Sequence, residues 1–470
     1  MPNHKSRRDF LRLAATSAIG AGLAPSALAR GRNVQILEPP AREPARPIGP
    51  NDRIGLATIG MGIIGFIDTD SALSVPGVEL VAAADVYDAR LARVKEVYGQ
   101  EVDTTRDYRE LLARSDVDAV IIAVPDHWHA RMAIEAMEAG KDVYLEKPMV
   151  KDLAEGPRVI EAQQRTGRVL QVGSQFGSDV IFDKMRELIA AGTIGEVNQV
   201  EAAYNRNSAL GAWQYSIPPN VTEQDIDWEA FLGDAPRRPF DPVRFFRWRN
   251  YRDYGTAVAG DLFVHLFTGI HKALDAVGPT EIFSRGGLRF WKDGRDVPDV
   301  ILSLFGYPET ESHAPFTLSL QSNFVDGSGG GTHFRFIGSE GVISVQGNGF
   351  TLEQSPRRPP SLDQLVDGYN SVRTWSEDVR QAFTEAYEAE HPAEPVAPAP
   401  DVTQEYRAPN GYDARYDHFT YFFDAVREGG SVFEDAVYGY RAAAPALMSN
   451  LSLWEDRIYR WDPVGMRLVS

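Results

Sequence analysis

The chain has 470 residues, of which 43% are hydrophobic and 24% are charged, and its formal net charge is −18. This length exceeds one typical hydrophobic core, so we expect two domains with extensions. The acidic balance disfavours nucleic acids and anionic membranes as partners, because both are bound through basic patches. The absence of cysteine excludes thiol catalysis, disulfides and thiolate metal sites.

Residues 1–30 have the pattern of an export signal. Arg7 and Arg8 are followed by a short apolar run that ends at an A-x-A-like site with Ala27 and Ala29. The adjacent arginines indicate the twin-arginine route, which carries folded proteins. The apolar run is too short and too rich in glycine to predict an integral membrane span. We therefore expect a periplasmic or extracellular protein.

The segment 31–50 is rich in proline and shows no apolar periodicity. It fits either a linker or an extended arm that lies on a neighbouring subunit. The sequence leaves both interpretations open.

A glycine-rich turn is the most informative motif of the chain. Residues 54–65 read IGLATIGMGIIG, which predicts a buried strand, a turn and the start of a helix. Gly60 permits the tight turn, Gly62 lets the backbone approach a pyrophosphate, and Gly65 lets the helix pack on the strand. Free N–H groups at the helix start favour phosphate. Cofactor contacts are therefore expected from Gly60, Met61, Gly62, Ile63 and Ile64.

Asp85 ends the next apolar run, twenty residues after the turn. Its carboxylate is expected to accept hydrogen bonds from an adenosine ribose, which favours NAD, with NADP as the alternative. An exported protein meets no free pool of dinucleotide. We therefore expect a cofactor that is tightly held and regenerated in place.

Strand and helix patterns alternate from residue 51 to about 175, which predicts an α/β Rossmann domain over 51–172 with ligands at the carboxyl ends of parallel strands. The predicted strands are 54–60, 78–85, 117–124, 142–148 and 168–175, and the predicted helices are 64–75, 88–98, 106–114 and 129–140.

A different pattern over 173–470 predicts an α+β domain that carries the substrate site. Runs between 281 and 346 alternate with a period of two, as in an antiparallel sheet with one covered face. The segment 355–410 is interpreted as a loop insertion, since it is rich in proline. Two closing helices are predicted within 412–453.

The segment Glu146–Pro148 places Lys147 at the carboxyl end of a predicted strand. Proline restricts the backbone of Lys147 to extended geometry, so its ammonium could be aimed into the cleft. A lysine there can donate to a substrate hydroxyl and can move protons if burial lowers its pKa. The alternative is a surface lysine in a turn.

Asp261 and His265 are four residues apart and would share one face of a helix. Histidine is suited to take the hydroxyl proton when a sugar alcohol loses hydride, and Asp261 could orient the imidazole or contact the sugar. A buried structural histidine is an equal alternative. His271 lies off this face and is expected to be secondary.

The turn at 125–130 contains Pro125, His127 and His129, which are expected to lie beside the nicotinamide or the substrate. Two histidines without a placed carboxylate are a poor metal signature, so we predict no metal. In 245–255, arginines alternate with aromatic residues. That segment fits a structural core with a charged rim, a subunit interface or a wall for sugar stacking.

These motifs together resemble the Gfo/Idh/MocA oxidoreductase family. The resemblance rests on the glycine turn, PDHWH, EKPM, AAGTIGEV and the D-x-x-x-H of 261–265, and it leaves 355–410 unexplained. It implies a large, open, mainly antiparallel sheet in the second domain, which commonly serves as the oligomer interface. It also implies pyranose, inositol or related substrates. Exported members that pass hydride between two sugars on an unreleased cofactor look most similar.

The resemblance also implies residue roles. The catalytic lysine falls on Lys147, and the catalytic Asp and His fall on Asp261 and His265. Further cofactor contacts are expected from Pro125, His127, His129, Glu146, Lys147, Pro148 and Gln175. Two departures concern the substrate: Thr268 stands where the family often has an acid, and 174–176 lack a common arginine.

The leading hypothesis is therefore an exported NAD-dependent sugar oxidoreductase with a carbohydrate substrate and a homo-oligomeric assembly. The alternative is a redox-neutral glycoside hydrolase or epimerase that oxidises carbon 3 transiently. A non-catalytic sugar sensor is disfavoured, because Lys147, Asp261 and His265 are all present.

Overall fold

The computed structural model describes residues 33–38, 49, 52–357, 360–391 and 402–469. The predicted export signal and most of the proline-rich segment lie outside this range.

The strands, in chain order, are β1 (Asn33–Ile36), β2 (Ile54–Ile59), β3 (Val78–Ala84), β4 (Asp103–Thr105), β5 (Ala119–Ile122), β6 (Asp142–Leu145), β7 (Leu170–Val172), β8 (Val197–Asn205), β9 (Glu281–Gly287), β10 (Val300–Tyr307), β11 (Phe316–Asn323), β12 (Gly331–Gly338), β13 (Gly341–Gln346), β14 (Gly349–Gln354), β15 (Val402–Arg407), β16 (Tyr459–Asp462) and β17 (Arg467–Leu468).

The α-helices are α1 (Ile63–Leu73), α2 (Asp88–Tyr98), α3 (Tyr108–Leu112), α4 (His129–Glu138), α5 (Gly156–Thr166), α6 (Val180–Ala190), α7 (Trp228–Leu232), α8 (Pro242–Phe246), α9 (Val264–Leu274), α10 (Leu362–Val366), α11 (Glu377–Glu390), α12 (Ala414–Glu428) and α13 (Ala436–Glu455). A π-helical turn, Ala259–Phe263, leads directly into α9. None of the described helices combines the length and apolarity that crossing a membrane requires.

The first sheet is the predicted Rossmann sheet. Its six strands are all parallel, in the order β4-β3-β2-β5-β6-β7. Strands β5, β6 and β7 are buried at every position, as expected when helices cover both faces of a parallel sheet. The short strand β4 was not predicted, because Asp103–Thr105 has no apolar run.

The second sheet has eleven strands in the order β1-β15-β14-β13-β12-β8-β11-β10-β9-β16-β17. It is antiparallel except for the β1–β15 and β8–β11 pairs, which confirms the expected large, mainly antiparallel sheet. One face is covered: in β10, Ile301 and Phe305 are buried, whereas Leu302 and Leu304 are 51% and 52% exposed on the other face.

The structure differs from two expectations about the connecting segments. The interval 355–410 is not only loop, because it contains α10, α11 and the sheet strand β15. Its proline content obscured a capping box at Ser361 and Gln364, which starts α10. The interval 31–50 contributes β1, which pairs with β15 of its own chain. The Leu37 N–H extends this pairing by donating to the Arg407 carbonyl oxygen at 2.7 Å.

The helix α12 packs on the Rossmann sheet although it follows most strands of the second sheet in the chain. The ring of Phe419 stacks on Tyr144 of β6 with a centroid distance of 4.2 Å. Phe419, Phe422 and Phe423 are fully buried with apolar residues of β2 and β5. The hydrophobic core of the first domain is therefore completed by residues from the C-terminal part of the chain.

We predict that Phe419→Ala lowers the free energy of unfolding by about 3–5 kcal/mol, because it leaves a cavity beneath the Rossmann sheet. Chemical denaturation followed by tryptophan fluorescence measures the change. The control is Val379→Ala, since Val379 is 50% exposed and should change stability by less than about 0.5 kcal/mol. Equal effects of the two substitutions would contradict the packing role of α12.

Candidate active site

A cleft of about 370 Å³ opens at the carboxyl ends of the Rossmann strands and extends to the second sheet. The glycine turn and Asp85 line one part, and Lys147, Asp261 and His265 line another. The three predicted catalytic residues, which are up to 118 positions apart in the chain, therefore share one cavity with the predicted cofactor turn.

The glycine turn has the geometry that a pyrophosphate requires. Gly60 has a φ of +92°, which disfavours any residue with a Cβ. A Cβ on Gly65 would lie 2.0 Å from the Gly60 carbonyl oxygen, whereas a Cβ on Gly62 would meet nothing within 4 Å. The first intrahelical bond of α1 is from the Phe66 N–H to the Gly62 carbonyl, so the preceding N–H groups have no intrahelical acceptor. The turn therefore fits a phosphate group.

Asp85 lines the cleft, and its carboxylate stabilises the glycine turn through hydrogen bonds. It accepts hydrogen bonds from the N–H groups of Met61 at 2.7 Å and Tyr87 at 2.9 Å. The Arg90 guanidinium lies 3.3 Å away. Its contact with a ribose stays a prediction, because the side chain is only 2% exposed.

Three predicted cofactor contacts do not line the cleft. The Met61 side chain is fully buried against Val94 and Val102. Pro148 is buried, and its carbonyl oxygen lies 2.7 Å from Nδ1 of His129. The ring of His127 lies between the carbonyl oxygens of Phe231 and Tyr254, and burial lowers its pKa to about 4. These residues support the walls of the cleft instead. The other predicted contacts that line it are Gly60, Gly62, Ile63, Ile64, Pro125, His129, Glu146, Lys147 and Gln175.

Lys147 and Asp261 form a nearly buried ion pair across the cleft. The Lys147 Nζ donates to Oδ1 of Asp261 at 3.0 Å and to its backbone carbonyl at 2.9 Å. Arg249 Nε also lies 3.2 Å from the same Oδ1. Burial alone would raise the pKa of Asp261, but Lys147 and Arg249 hold that pKa below its usual range. Asp261 is therefore ionised and positions the ammonium.

His265 lies beside this pair, at the start of α9. Its ring contacts Phe176 and Tyr204, with centroid distances of 6.0 and 6.1 Å. Burial, reinforced by the charge of Lys147, lowers the pKa of His265 well below its usual value. The imidazole is therefore neutral near pH 7 and can accept a proton. His271, which was expected to be secondary, is buried with Nε2 at 2.8 Å from the Tyr307 hydroxyl.

A second group of buried charges lies behind the cleft. Asp68 on α1 pairs with Arg415 on α12 at 2.6 Å. Burial and the neighbouring Glu146 raise the pKa of Asp68 well above its usual value. Glu146 and Arg415 both line the cleft, which links the helix α12 to the site.

Thr268, where an acid was expected from the resemblance, contacts a buried acid from elsewhere in the chain. Its hydroxyl lies 3.3 Å from Oε1 of Glu434 and accepts a hydrogen bond from Ser174 at 3.0 Å. Burial raises the pKa of Glu434 well above its usual value.

Several lining residues were missed from the sequence. The arginine and aromatic segment 245–255 gave a signal, but the pairing of Arg249 with Asp261 could not be read from it. Residues at and after the end of β8 gave none. The missed residues of the substrate end are Tyr204, Arg206, Trp213 and Tyr215, and Trp248 and Arg249 of the segment 245–255 line it as well.

A family model described as an oxidoreductase family with an NAD-binding Rossmann fold, GFO_IDH_MocA, matches residues 54–174. Glycosyl hydrolase family 109 protein 1 from Shewanella sp. (strain MR-4) is 32% identical over 212 residues. That match covers 42% of this chain and 45% of the relative, so the chain spans less than half the length of this curated protein.

Two solved structures share the fold. Levoglucosan dehydrogenase, in complex with NADH and levoglucosan, has a TM-score of 0.61 at 16% identity over 86% of this chain and 98% of that one. Aldose-aldose oxidoreductase from Caulobacter crescentus, complexed with glycerol, has a TM-score of 0.60 at 16% identity over 87% and 99%. At this identity the likeness concerns the fold alone.

The fold and the cleft define a two-domain protein whose first domain is a Rossmann domain with a dinucleotide cleft. Residues 54–174 match the model of an oxidoreductase family with an NAD-binding Rossmann fold, and NAD is the cofactor. The open space at Gly62 and the N–H groups at the start of α1 fit the pyrophosphate of NAD.

We predict that Gly62→Ala folds normally but binds NAD at least about tenfold more weakly, because its methyl group enters the space for the pyrophosphate. Gly65→Ala should instead lower the melting temperature, because its Cβ collides with backbone. Titration of cofactor-free protein with NAD and thermal unfolding separate the two effects. Unchanged NAD affinity in Gly62→Ala would remove the turn from the cofactor site.

Proposed function

We propose that the protein is an NAD-dependent oxidoreductase that transfers hydride between a ring carbon of a sugar or cyclic polyol and a retained cofactor. The observation that carries this proposal is the convergence of Lys147, Asp261 and His265 in the cofactor cleft. The aromatic side chains of Tyr204 and Trp248 at the same end offer faces on which a sugar ring could stack.

The chain's own residues would manage the hydroxyl of the reacting carbon. Hydride acceptance and return is the chemistry that bound NAD supplies. Neutral His265 takes the hydroxyl proton as the carbon loses hydride, which leaves a carbonyl group. The Lys147 ammonium donates a hydrogen bond to the hydroxyl oxygen and stabilises negative charge on it. Asp261 holds Lys147 in position through their 3.0 Å ion pair.

A second candidate is redox-neutral glycoside cleavage or epimerisation, in which the ring is oxidised at carbon 3 and later reduced by the same cofactor. The observation that favours it is the name of the curated relative, a glycosyl hydrolase family 109 protein. The same three residues would serve both reactions, because each begins with removal of a hydroxyl proton and a hydride.

We further propose that the protein acts outside the cytoplasm and as a homo-oligomer. The motif with Arg7 and Arg8 supports export. Half-exposed Leu302 and Leu304, on the uncovered face of the second sheet, support association through that face.

One preparation tests these points together. The full chain is expressed with its own N-terminus, recovered from the periplasmic fraction and measured by light scattering; we expect a dimer or tetramer with bound NAD. It is then mixed with monosaccharides and aryl glycosides while reduced nicotinamide is followed by absorbance. Persistent reduction by a free sugar supports the oxidoreductase, and glycoside cleavage without net reduction supports the second candidate. Protein that neither carries nor binds NAD would contradict both the oxidoreductase and the redox-neutral candidate.

We predict that Lys147→Ala retains NAD but loses turnover by about 100-fold or more, because it removes the donor to the reacting oxygen. The variant should stay folded, since Arg249 still pairs with Asp261. Steady-state rates and bound NAD are measured beside Lys292→Ala, which alters an exposed lysine outside the cleft. Full activity in the Lys147 variant would exclude this residue from the mechanism.

A further inference from the structure

Arg206 differs from the other cations near the catalytic residues in its lack of an acidic partner. It follows β8 and lines the cleft together with Asp261 and His265. One guanidinium nitrogen donates to the Gly211 carbonyl at 2.9 Å. In the part of the chain that the structure describes, Arg206 has no carboxylate within ion-pair distance, whereas Lys147, Arg249 and Arg415 each have one.

The acids that line the cleft are already committed to other groups. Asp85 is held by two backbone N–H groups and Arg90, and Asp126 accepts from the N–H and hydroxyl of Thr256. Glu146 lies beside Asp68 and interacts with it, and Asp261 is held by two cations. The charge of Arg206 is therefore left uncompensated within the described residues.

The guanidinium of Arg206 is held in a defined place by aromatic rings. Its central carbon lies 5.3 Å from the ring centre of Tyr204 and 5.6 Å from that of Phe324. The Tyr204 ring also contacts His265, with a centroid distance of 6.1 Å, which places Arg206 at the reacting end of the cleft rather than at the phosphate turn. A half-buried, pre-positioned guanidinium with free donors favours a planar anion, which can accept two parallel hydrogen bonds.

We infer that the substrate is a sugar that carries a carboxylate, such as a uronic acid or its glycoside, and that Arg206 binds this carboxylate. The single uncompensated charge of Arg206 matches the single charge of a carboxylate. The aromatic walls would contact the apolar faces of the ring. This inference rests on the proposed function, since it names the substrate class of the same site.

The test compares matched sugars that differ only at the anionic group. D-Galacturonate and D-glucuronate are compared with D-galactose and D-glucose as reductants of the bound nicotinamide in the NAD-loaded protein. We expect kcat/KM to be at least about tenfold higher for the uronates, the lower end for a charge-assisted hydrogen bond. An equal or higher kcat/KM for the neutral sugars, or a preference for D-glucose 6-phosphate, would overturn the inference and leave the proposed oxidoreductase intact.

Variants show whether Arg206 itself carries the preference. Arg206→Met should lower kcat/KM for the uronates by about 10- to 100-fold, mainly through KM, and change the neutral sugars only a few fold. Arg206→Lys should recover part of the loss. The control is Arg252→Gln, an exposed arginine that stacks on Trp454 away from the cleft. Equal losses for uronates and neutral sugars in Arg206→Met would assign Arg206 a merely structural role.

Binding is measured separately from turnover, so that the two proposals can fail independently. Saturation-transfer NMR compares D-galacturonate with D-galactose on the NAD-loaded protein. Uronate binding that Arg206→Met abolishes, without reduction of nicotinamide by any sugar, would support the inference and contradict the oxidoreductase. Absence of uronate binding at millimolar concentrations would contradict the inference.

Discussion

The ion pair between Lys147 and Asp261 is the contact on which the site depends. Lys147 follows β6 of the Rossmann sheet, and Asp261 lies in the π-helical turn before α9. Both side chains are nearly buried, so an unpaired charge on either would be strongly unfavourable; Lys147 relies on Asp261, whereas Asp261 also pairs with Arg249. The pair therefore holds the cofactor side of the cleft against the substrate side. Burial and the charge of Lys147 lower the pKa of the neighbouring His265, so its imidazole is neutral near pH 7.

Around this pair, the cleft divides into regions that are stabilised differently. At the phosphate end, the glycine turn presents backbone N–H groups. The buried carboxylate of Asp85 stabilises this turn by accepting a hydrogen bond from the Met61 N–H. The substrate end is built from side chains of β8, the segment 245–250 and the turn at Asp261. Backbone N–H groups suit a cofactor common to a whole family, whereas side chains can vary with the substrate. Specificity is therefore expected to lie in residues such as Arg206 and Arg249.

Long-range packing explains where the predictions from sequence were incomplete. His127 and Met61 are adjacent in sequence to residues that line the cleft. The spacing of a motif cannot distinguish a residue that lines the cleft from a residue that packs behind its wall. His127 is held by carbonyl oxygens from residues more than 100 positions away. The strand β15 could not be recognised from the sequence, because prolines surround it and it has no continuous apolar run. Its pairing with β14 and β1 stabilises it.

The sequence by itself determined the strand–turn–helix unit and the parallel sheet, and it singled out Lys147, Asp261 and His265 as candidate catalytic residues. These depend on short-range properties: the positive φ available to Gly60, the periods of apolar residues and the spacing of motifs. Only the tertiary structure decided which charges are paired. The partners of Asp261, Asp68 and Thr268 are 114, 347 and 166 positions distant, and electrostatic balance in a buried cleft depends on distance in space. That balance leaves Arg206 free to bind an anion.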